Sequence, residues 1–331
     1  MRALFQPDKN SKDLVLAEFP IQKPNFKLNE HLIRVQAVAP CAGELLWPAN
    51  YPVPDPNSKV SIPCYDVAGI VVSAPPLSPF KVGDGVYGRT NYYRTGCASE
   101  YAIGRTEELA FKAKNLSWAE AVTVPLSSLT AWQALFVQAG LGDFSSETYR
   151  GKRILVTAAS GGVGSWVVQL ARLAGAEVVG TCGPSNVDFV RSLGATEVID
   201  YTKTDLKEWG TAEGKKVDLV IDCIGKKSLE GGWWCVKNGG VLISIYQPPE
   251  QVKPDGWSGK GVRNLFFIMV PNGPALTQIS TLIEGGKCRP VLDSVWPLEK
   301  YENAFQRLDS GHVRGKVVIE LIADAEVAVH L

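Results

Sequence analysis

The sequence predicts a mixed α/β protein of two domains, one of them a doubly wound parallel sheet, and three observations carry that expectation. The stretch Ile154-Leu-Val-Thr-Ala-Ala-Ser-Gly-Gly-Val-Gly164 reads as a buried strand, a glycine turn and the start of a helix. Around it, strand-like and helix-like segments alternate between residues 154 and 245, the pattern of a parallel sheet covered by helices. The first third instead holds short β-like segments broken by Pro and Gly. At 331 residues the chain is long for one core, and its 45% hydrophobic content can fill two interiors.

Taken in order, His31-Leu-Ile-Arg-Val-Gln-Ala-Val38, Val67-Ala-Gly-Ile-Val-Val-Ser73 and Glu100-Tyr-Ala-Ile103 are strand-like. After Asn115, Ser117-Trp-Ala-Glu-Ala is a helix start in which Ser117 and Glu120 stand at capping-box spacing. Strands then follow at Ile154–Thr157, Glu177–Thr181, Val198–Ile199, Leu219–Asp222 and Val241–Ile245, with helices at Val163–Leu173 and Val187–Leu193. In the first of these helices Val163, Val167, Leu170 and Ala174 share a face. From Asn272 onward come helices at Ala275–Glu284 and Leu298–Leu308 and a strand at Lys316–Leu321. That last strand would close a sheet begun near the N-terminus, so a nucleotide domain at 121–270 is inserted into a discontinuous domain of residues 1–120 and 271–331.

Lys+Arg and Asp+Glu both number 34, so net charge favours neither nucleic acid nor an anionic membrane, and the ligand is expected to be a small molecule. The apolar run Leu265–Val270 is too short to span a bilayer, and residues 1–10 hold no apolar core of a signal peptide. Seven scattered cysteines, an odd number, fit a reduced cytoplasmic setting better than a disulfide framework.

The glycine turn has a chemical reading. Gly161 lets backbone approach an anion, Gly164 lets the helix pack closely, and the helix start aims N–H groups and a positive dipole end at a pyrophosphate. Ala159 stands in place of the first glycine of G-x-G-x-x-G. The following strand ends Val179-Gly-Thr-Cys-Gly183, without the acid that binds a ribose 2′-hydroxyl in NAD sites. A 2′-phosphate is not repelled there, and Ser185, Asn186 and Tyr201 can donate hydrogen bonds to it. NADPH is therefore the expected cofactor. The alternatives are that Ser185 is a helix cap and Tyr201 a partly buried aromatic.

Val82-Gly-Asp-Gly-Val-Tyr-Gly88, Gly96-Cys-Ala-Ser-Glu-Tyr101, Leu129-Thr-Ala-Trp-Gln-Ala-Leu135, the Ala-Ser-Gly-Gly-Val-Gly turn and Gly194-Ala-Thr-Glu-Val-Ile-Asp-Tyr201 occur in this order. Together they resemble the medium-chain dehydrogenase/reductase superfamily over nearly the whole chain. The resemblance implies a GroES-like, β-rich catalytic domain with an inserted Rossmann domain. Zinc members polarise an alcohol oxygen through Cys and His ligands. Here Cys41 takes the first ligand place, but the Gly-His-Glu position reads Cys64-Tyr65-Asp66 and the third-ligand region reads Leu126-Ser-Ser-Leu129. The structural-zinc lobe, Gly88-Arg-Thr-Asn-Tyr-Tyr-Arg-Thr95, has no cysteine. The chain thus resembles the zinc-independent branch of quinone reductases, enoyl reductases and trans-acting fungal polyketide enoyl reductases. Thr181-Cys-Gly-Pro-Ser-Asn186 looks like the fungal group, although many zinc-independent relatives carry lysine where Asn186 stands.

The resemblance further places Thr130, Ser160, Gly161, Gly162 and Val163 at the nicotinamide riboside and pyrophosphate, with Cys223, Ile224, Tyr246 and Lys316 also able to reach the cofactor. Lys316 reads equally as a surface charge. Cys41, Glu44, Trp47 and Phe266 are assigned to the substrate pocket, with core packing as the alternative for Trp47 and Phe266. Without a metal, hydride transfer to the β-carbon of an activated alkene remains open, with donors stabilising the enolate oxygen. Tyr51, in a Tyr51-Pro52 pair that can also simply shape a turn, and Tyr65, otherwise a pocket wall, are the candidate proton donors. The expected activity is NADPH-dependent reduction of an α,β-unsaturated carbonyl, an enone or enoyl substrate of secondary metabolism. The alternatives are quinone reduction, NADPH binding without turnover, and a non-redox cyclisation on the same fold. The protein is expected to be a monomer or a homodimer, with Val262–Val270 as the candidate sheet edge for pairing.

Overall fold

A computed structural model describes residues 1–51, 53, 55 and 59–321. It divides into two compact units, with boundaries after Leu126 and after Met269. The first boundary falls inside the helix Pro125–Gln133.

The first unit holds β1 (Arg2–Phe5), β2 (Val15–Glu18), β3 (Glu30–Ala39), β4 (Asp66–Ser73), β5 (Gly85–Arg89), β6 (Tyr101–Arg105) and β7 (Leu109–Phe111). The second holds β8 (Arg153–Val156), β9 (Glu177–Cys182), β10 (Glu197–Asp200), β11 (Val217–Asp222), β12 (Val236–Ser244) and β13 (Arg263–Phe266). The chain then returns to the first unit with β14 (Leu292–Pro297) and β15 (Lys316–Glu320).

In the first unit seven strands form a sheet in the order β14-β15-β3-β4-β5-β7, with β6 also on β3; β1 and β2 make a separate hairpin. β15 joins β3 antiparallel, Ile319 beside Val38, so the C-terminal strand does complete a sheet begun early in the chain. Leu4, Ile33, Val35, Val38, Val67, Val71, Val86, Val317 and Ile319 fill its interior. Ser117 and Glu120 form the reciprocal cap of the helix Trp118–Val122.

The second unit is a six-stranded sheet in the order β10-β9-β8-β11-β12-β13, parallel throughout. Its β-branched and leucine strands (Ile154, Leu155, Val156 and Leu219, Val220, Ile221) are wholly buried, as a sheet covered on both faces requires. The helix Gly162–Leu173 departs from the one-faced pattern: every residue from Gly164 to Ala171 is buried, and Val163 only partly so. A helix buried on all sides has no solvent face to mark its period. The stretch expected at the sheet edge contributes β13, paired on one side with β12.

Candidate functional site

In the second unit the candidate nucleotide site is built mainly from backbone. β8 runs into Thr157 and Ala158, and Ala158 takes a left-handed φ of 49° to turn the chain. Gly161 then occupies the N-cap of the helix Gly162–Leu173, and no side chain caps that end. A Cβ on Gly164 would lie 2.2 Å from the Ala158 carbonyl oxygen, whereas one on Gly161 would meet the same atom at 3.3 Å. Gly164 is thus required by packing against the turn. An uncapped helix N-terminus above a turn this tight fits a pyrophosphate.

A buried carboxylate that the sequence reading passed over organises the neighbouring loops. Asp222, at the end of β11, is fully buried. It accepts from Thr157 Oγ1 at 2.8 Å and from the Gly225 N–H at 2.6 Å. The Thr157 hydroxyl in turn accepts from the Cys223 N–H at 2.9 Å, and Ser244 Oγ accepts from the Tyr246 N–H at 3.1 Å. Three strand ends are therefore pinned around one side chain. Burial pushes the Asp222 carboxyl up, against the pull of these donors. Its signal in the sequence was an acid closing the apolar run of β11.

These bonds position several expected residues. Ile224 and Tyr246 are about half exposed, 48% and 51%, and the Tyr246 ring covers Gly225, whose φ is 75°. Cys223 is half-buried and its thiol is pushed up by burial. Ser185 and Asn186 lie in the single turn Pro184–Asn186 just after β9, and Tyr201 follows β10, its ring beside Gly183. Asn186 is the N-cap residue of the helix Val187–Ser192, and Tyr201 is 56% exposed. Asp200, beside Cys182 in the sheet, turns its carboxylate to the Thr202 N–H and hydroxyl. Thr130 is buried within the helix Pro125–Gln133, and Phe266 ends β13, half-buried, in this unit. The other three pocket residues, Cys41, Glu44 and Trp47, belong to the first unit.

In the first unit the candidate site is built from side chains. Cys41 follows β3, and Glu44 spends both oxygens on backbone: it accepts from the Cys41 N–H at 2.8 Å and the Cys64 N–H at 2.9 Å. Glu44 therefore staples two loops together. Cys64 sits at a φ of 62°, a strained conformation for a residue with a side chain, held by that staple. The next strand residue, Asp66, pairs with Lys316 at 3.1 Å and accepts from the Leu126 N–H at 2.7 Å. Lys316 also donates to the Pro40 carbonyl at 2.9 Å.

Reading Lys316 as a surface charge is therefore corrected: it is 6% exposed, because β15 enters the sheet next to β3 and carries the ammonium inside. Burial alone would lower its pKa, but Asp66, with Cys41 and Glu44 nearby, holds it above the ordinary lysine value. Burial likewise pushes the Cys41 thiol up, which disfavours the thiolate needed for nucleophilic chemistry. The residues at this place do not fit a zinc ion. The acid that matches a ligand position is held by an ammonium, and no three His, Cys, Asp or Glu side chains among the described residues converge on one point.

Beside this pair lies an aromatic group. Trp47 stacks on Tyr65 with ring centres 5.9 Å apart, and Tyr92 packs edge-on against both. The buried Arg89 guanidinium lies 4.9 Å from the Tyr65 ring centre. Lys59 Nζ lies 3.9 Å from that of Tyr92. Tyr51 is 43% exposed, and its carbonyl accepts from Tyr92 Oη at 3.0 Å; Pro52 lies outside the described residues. Tyr65 is buried, as a wall residue would be. Neither Lys59 nor Arg89 appeared among the sequence candidates.

Comparison with known proteins agrees with this architecture. Residues 27–133 match the alcohol dehydrogenase GroES-like domain, and residues 193–319 match a family described as zinc-binding dehydrogenase. A probable mitochondrial zinc-binding oxidoreductase of Arthroderma benhamiae is 51% identical, with 95% of each chain covered. The chain belongs to the medium-chain dehydrogenase/reductase superfamily. A chloroplast envelope quinone oxidoreductase homolog of Arabidopsis thaliana is 34% identical over 92% of this chain and 94% of its own. Among solved structures, a quinone oxidoreductase from Coxiella burnetii superposes with a TM-score of 0.78 at 26% identity, covering 97% of this chain and 99% of its own. In this superfamily, with its GroES-like unit and parallel-sheet unit, the protein is an oxidoreductase, and members of the family typically bind a nicotinamide cofactor.

Proposed function

We propose that this oxidoreductase transfers a hydride from NADPH to the β-carbon of an α,β-unsaturated carbonyl without a metal. The Asp66–Lys316 pair carries the reading. In that place an alcohol-polarising ion would need ligands, and the ammonium holds the acid instead. A conjugated alkene accepts hydride without a Lewis acid, because charge moves onto its own carbonyl oxygen.

The turn Ser160–Val163 and the helix start would hold the pyrophosphate, and the loops pinned by Asp222 would hold the nicotinamide side together with Thr130. Ser185, Asn186 and Tyr201 would hold the 2′-phosphate, and the absence of an acid at the end of β9 supports NADPH over NADH. When bound, the cofactor supplies the hydride. The chain's part is to bind and to orient. In this proposal Lys316 serves Asp66.

A second reading, quinone reduction, is favoured by the names of the Arabidopsis and Coxiella relatives. Steady-state oxidation of NADPH and NADH against an enone, an enal and a quinone separates the readings. Enone or enal turnover with NADPH preferred is the expected result. Turnover of the quinone alone supports the second reading. Tight NADPH binding without oxidation of it overturns both and leaves a binding protein or, if a substrate is rearranged with cofactor unconsumed, a cyclase.

All seven cysteines are unpaired, which supports a reducing compartment. The cytoplasm meets that condition, although the Arthroderma and Arabidopsis relatives carry mitochondrial and chloroplast names. Among the described residues no helix is long and apolar enough to cross a membrane.

A further inference from the structure

We propose that the parallel-sheet unit carries a second ligand site, at the end of the sheet opposite the candidate nucleotide site, that takes a small aromatic anion. A cavity of about 290 Å³ opens where β11 and β12 begin, at the small end of the range for ligand pockets. Lys216, Trp234, Lys237, Asn238, Trp257 and Ser258 line it. The nucleotide turn and the loops pinned by Asp222 lie at the other strand ends, and the length of β11, Val217–Asp222, sets the two places about 15–20 Å apart. An occupant here would leave the nucleotide turn free.

The polar groups around the cavity are mainly donors, and among the described residues no aspartate or glutamate lines it. Lys216 gives one of its three N–H bonds to the Trp234 carbonyl and, among the described residues, joins no salt bridge. Its neighbour Lys215 is spent on Glu197. Lys237 reaches Asp218 at 3.0 Å, but that carboxylate is shared with Lys152 at 3.8 Å. Asp205, an acid that acts with Lys216 on the Cys235 thiol, pairs with Lys227 at 3.3 Å. Asn238 Oδ1 already accepts from the Lys260 N–H at 2.9 Å, which leaves its N–H₂ to offer. An ammonium without an acid, a second that shares one, and an amide donor together suit an anionic group.

The aromatic walls are held in place. Trp257 Nε1 donates to the Trp233 carbonyl at 2.6 Å, and the two indoles pack edge-on with ring centres 4.8 Å apart. A Cβ on Gly259 would lie 2.2 Å from the Trp257 ring, so only a glycine lets the chain close over that ring. The Lys260 carbonyl accepts from the Gly239 N–H at 2.9 Å and ties this loop to β12. Trp234 ends the helix Lys226–Cys235, with Lys207 Nζ 4.8 Å from its ring centre. Both Trp234 and Trp257 are half-buried, and a flat ring would cover the surface they leave open. Fixed indoles beside unspent donors make a preformed site for an aryl carboxylate or sulfonate.

Calorimetric titration of the full-length protein with naphthalene-2-sulfonate tests this. One equivalent should bind with a Kd of roughly 0.1 mM, and saturating NADPH should leave that value unchanged. The uncharged 2-naphthol should bind roughly 10-fold more weakly. Lys216→Met should weaken the sulfonate by roughly the same factor, with NADPH affinity and thermal melting retained. In the wild type, where no variant need fold, the sulfonate should slow acetylation of Lys216 by acetic anhydride, read by mass spectrometry, and leave the exposed Lys287 unaffected. Absence of saturable binding, displacement by NADPH, equal affinity for 2-naphthol, or a Lys216 that acetylates at its unliganded rate would each overturn the proposal.

Discussion

The two candidate sites are made of different material. In the second unit, the site is a turn, a helix end and strand termini, where a positive φ at Ala158 and a missing Cβ at Gly164 do the shaping. In the first unit it is a set of side chains far apart in sequence: Lys59, Tyr65, Asp66, Arg89 and Lys316, balanced by charge and ring contacts. A backbone site depends on the space beside it. A side-chain site depends on each charge keeping its partner. Substitutions should therefore damage the two in different ways.

The largest effect should come from breaking the buried pair. Lys316→Met leaves Asp66 charged and buried without its cation, a loss of about 3–5 kcal/mol in folding stability. Thermal melting monitored by circular dichroism reads it, and Asp66→Asn combined with Lys316→Met should cost less than the sum of the singles. Additive losses would mean that the pair is not a unit.

Next comes Gly164→Ala. Its new methyl would have to displace the Ala158 carbonyl from 2.2 Å, at a cost of about 1–3 kcal/mol, with the strain falling on the phosphate turn. NADPH affinity by fluorescence titration should drop more in this variant than in Lys316→Met, and stability should drop less. The reverse order would erase the contrast between the sites and return Lys316 to the cofactor.

The smallest effect belongs to the specificity groups. Ser185→Ala should weaken NADPH roughly 3–10-fold, the worth of one hydrogen bond to a charged group or somewhat less, and leave NADH unchanged. Equal losses for both cofactors would move Ser185 away from the 2′-phosphate.

The same contrast explains what could be read before any coordinates. The backbone site was legible because its parts are nearly contiguous: Ile154 to Gly164 supplies strand, turn and helix in one run, and β9, the next strand, ends without an acid. Strands with apolar runs, such as β8 and β11, were equally plain. The short or edge strands were not: β1, β2 and β13 carry only four residues each and pair through backbone that leaves little pattern. In the first unit, position 316 is known to be buried only once β15 is laid against β3, 250 residues of numbering away from Asp66. Lys59 was invisible for the same reason. Nothing near it in sequence marks it, and the two tyrosines that hold it lie six and thirty-three positions on. Glu44 was picked out by its proximity to Cys41, which was sound, but the direction of its carboxylate is a tertiary fact.

The central claim is that hydride reaches a β-carbon in a protein that needs no metal. NADPH deuterated at C4 of the dihydronicotinamide, on the face the enzyme uses, can be given with an enone to protein treated with a zinc chelator, and the product examined by NMR. The account predicts an undiminished rate, deuterium at the β-carbon and a solvent-derived hydrogen at the α-carbon. Deuterium at the carbinol carbon, or a rate that vanishes with the chelator and returns with zinc, would contradict it.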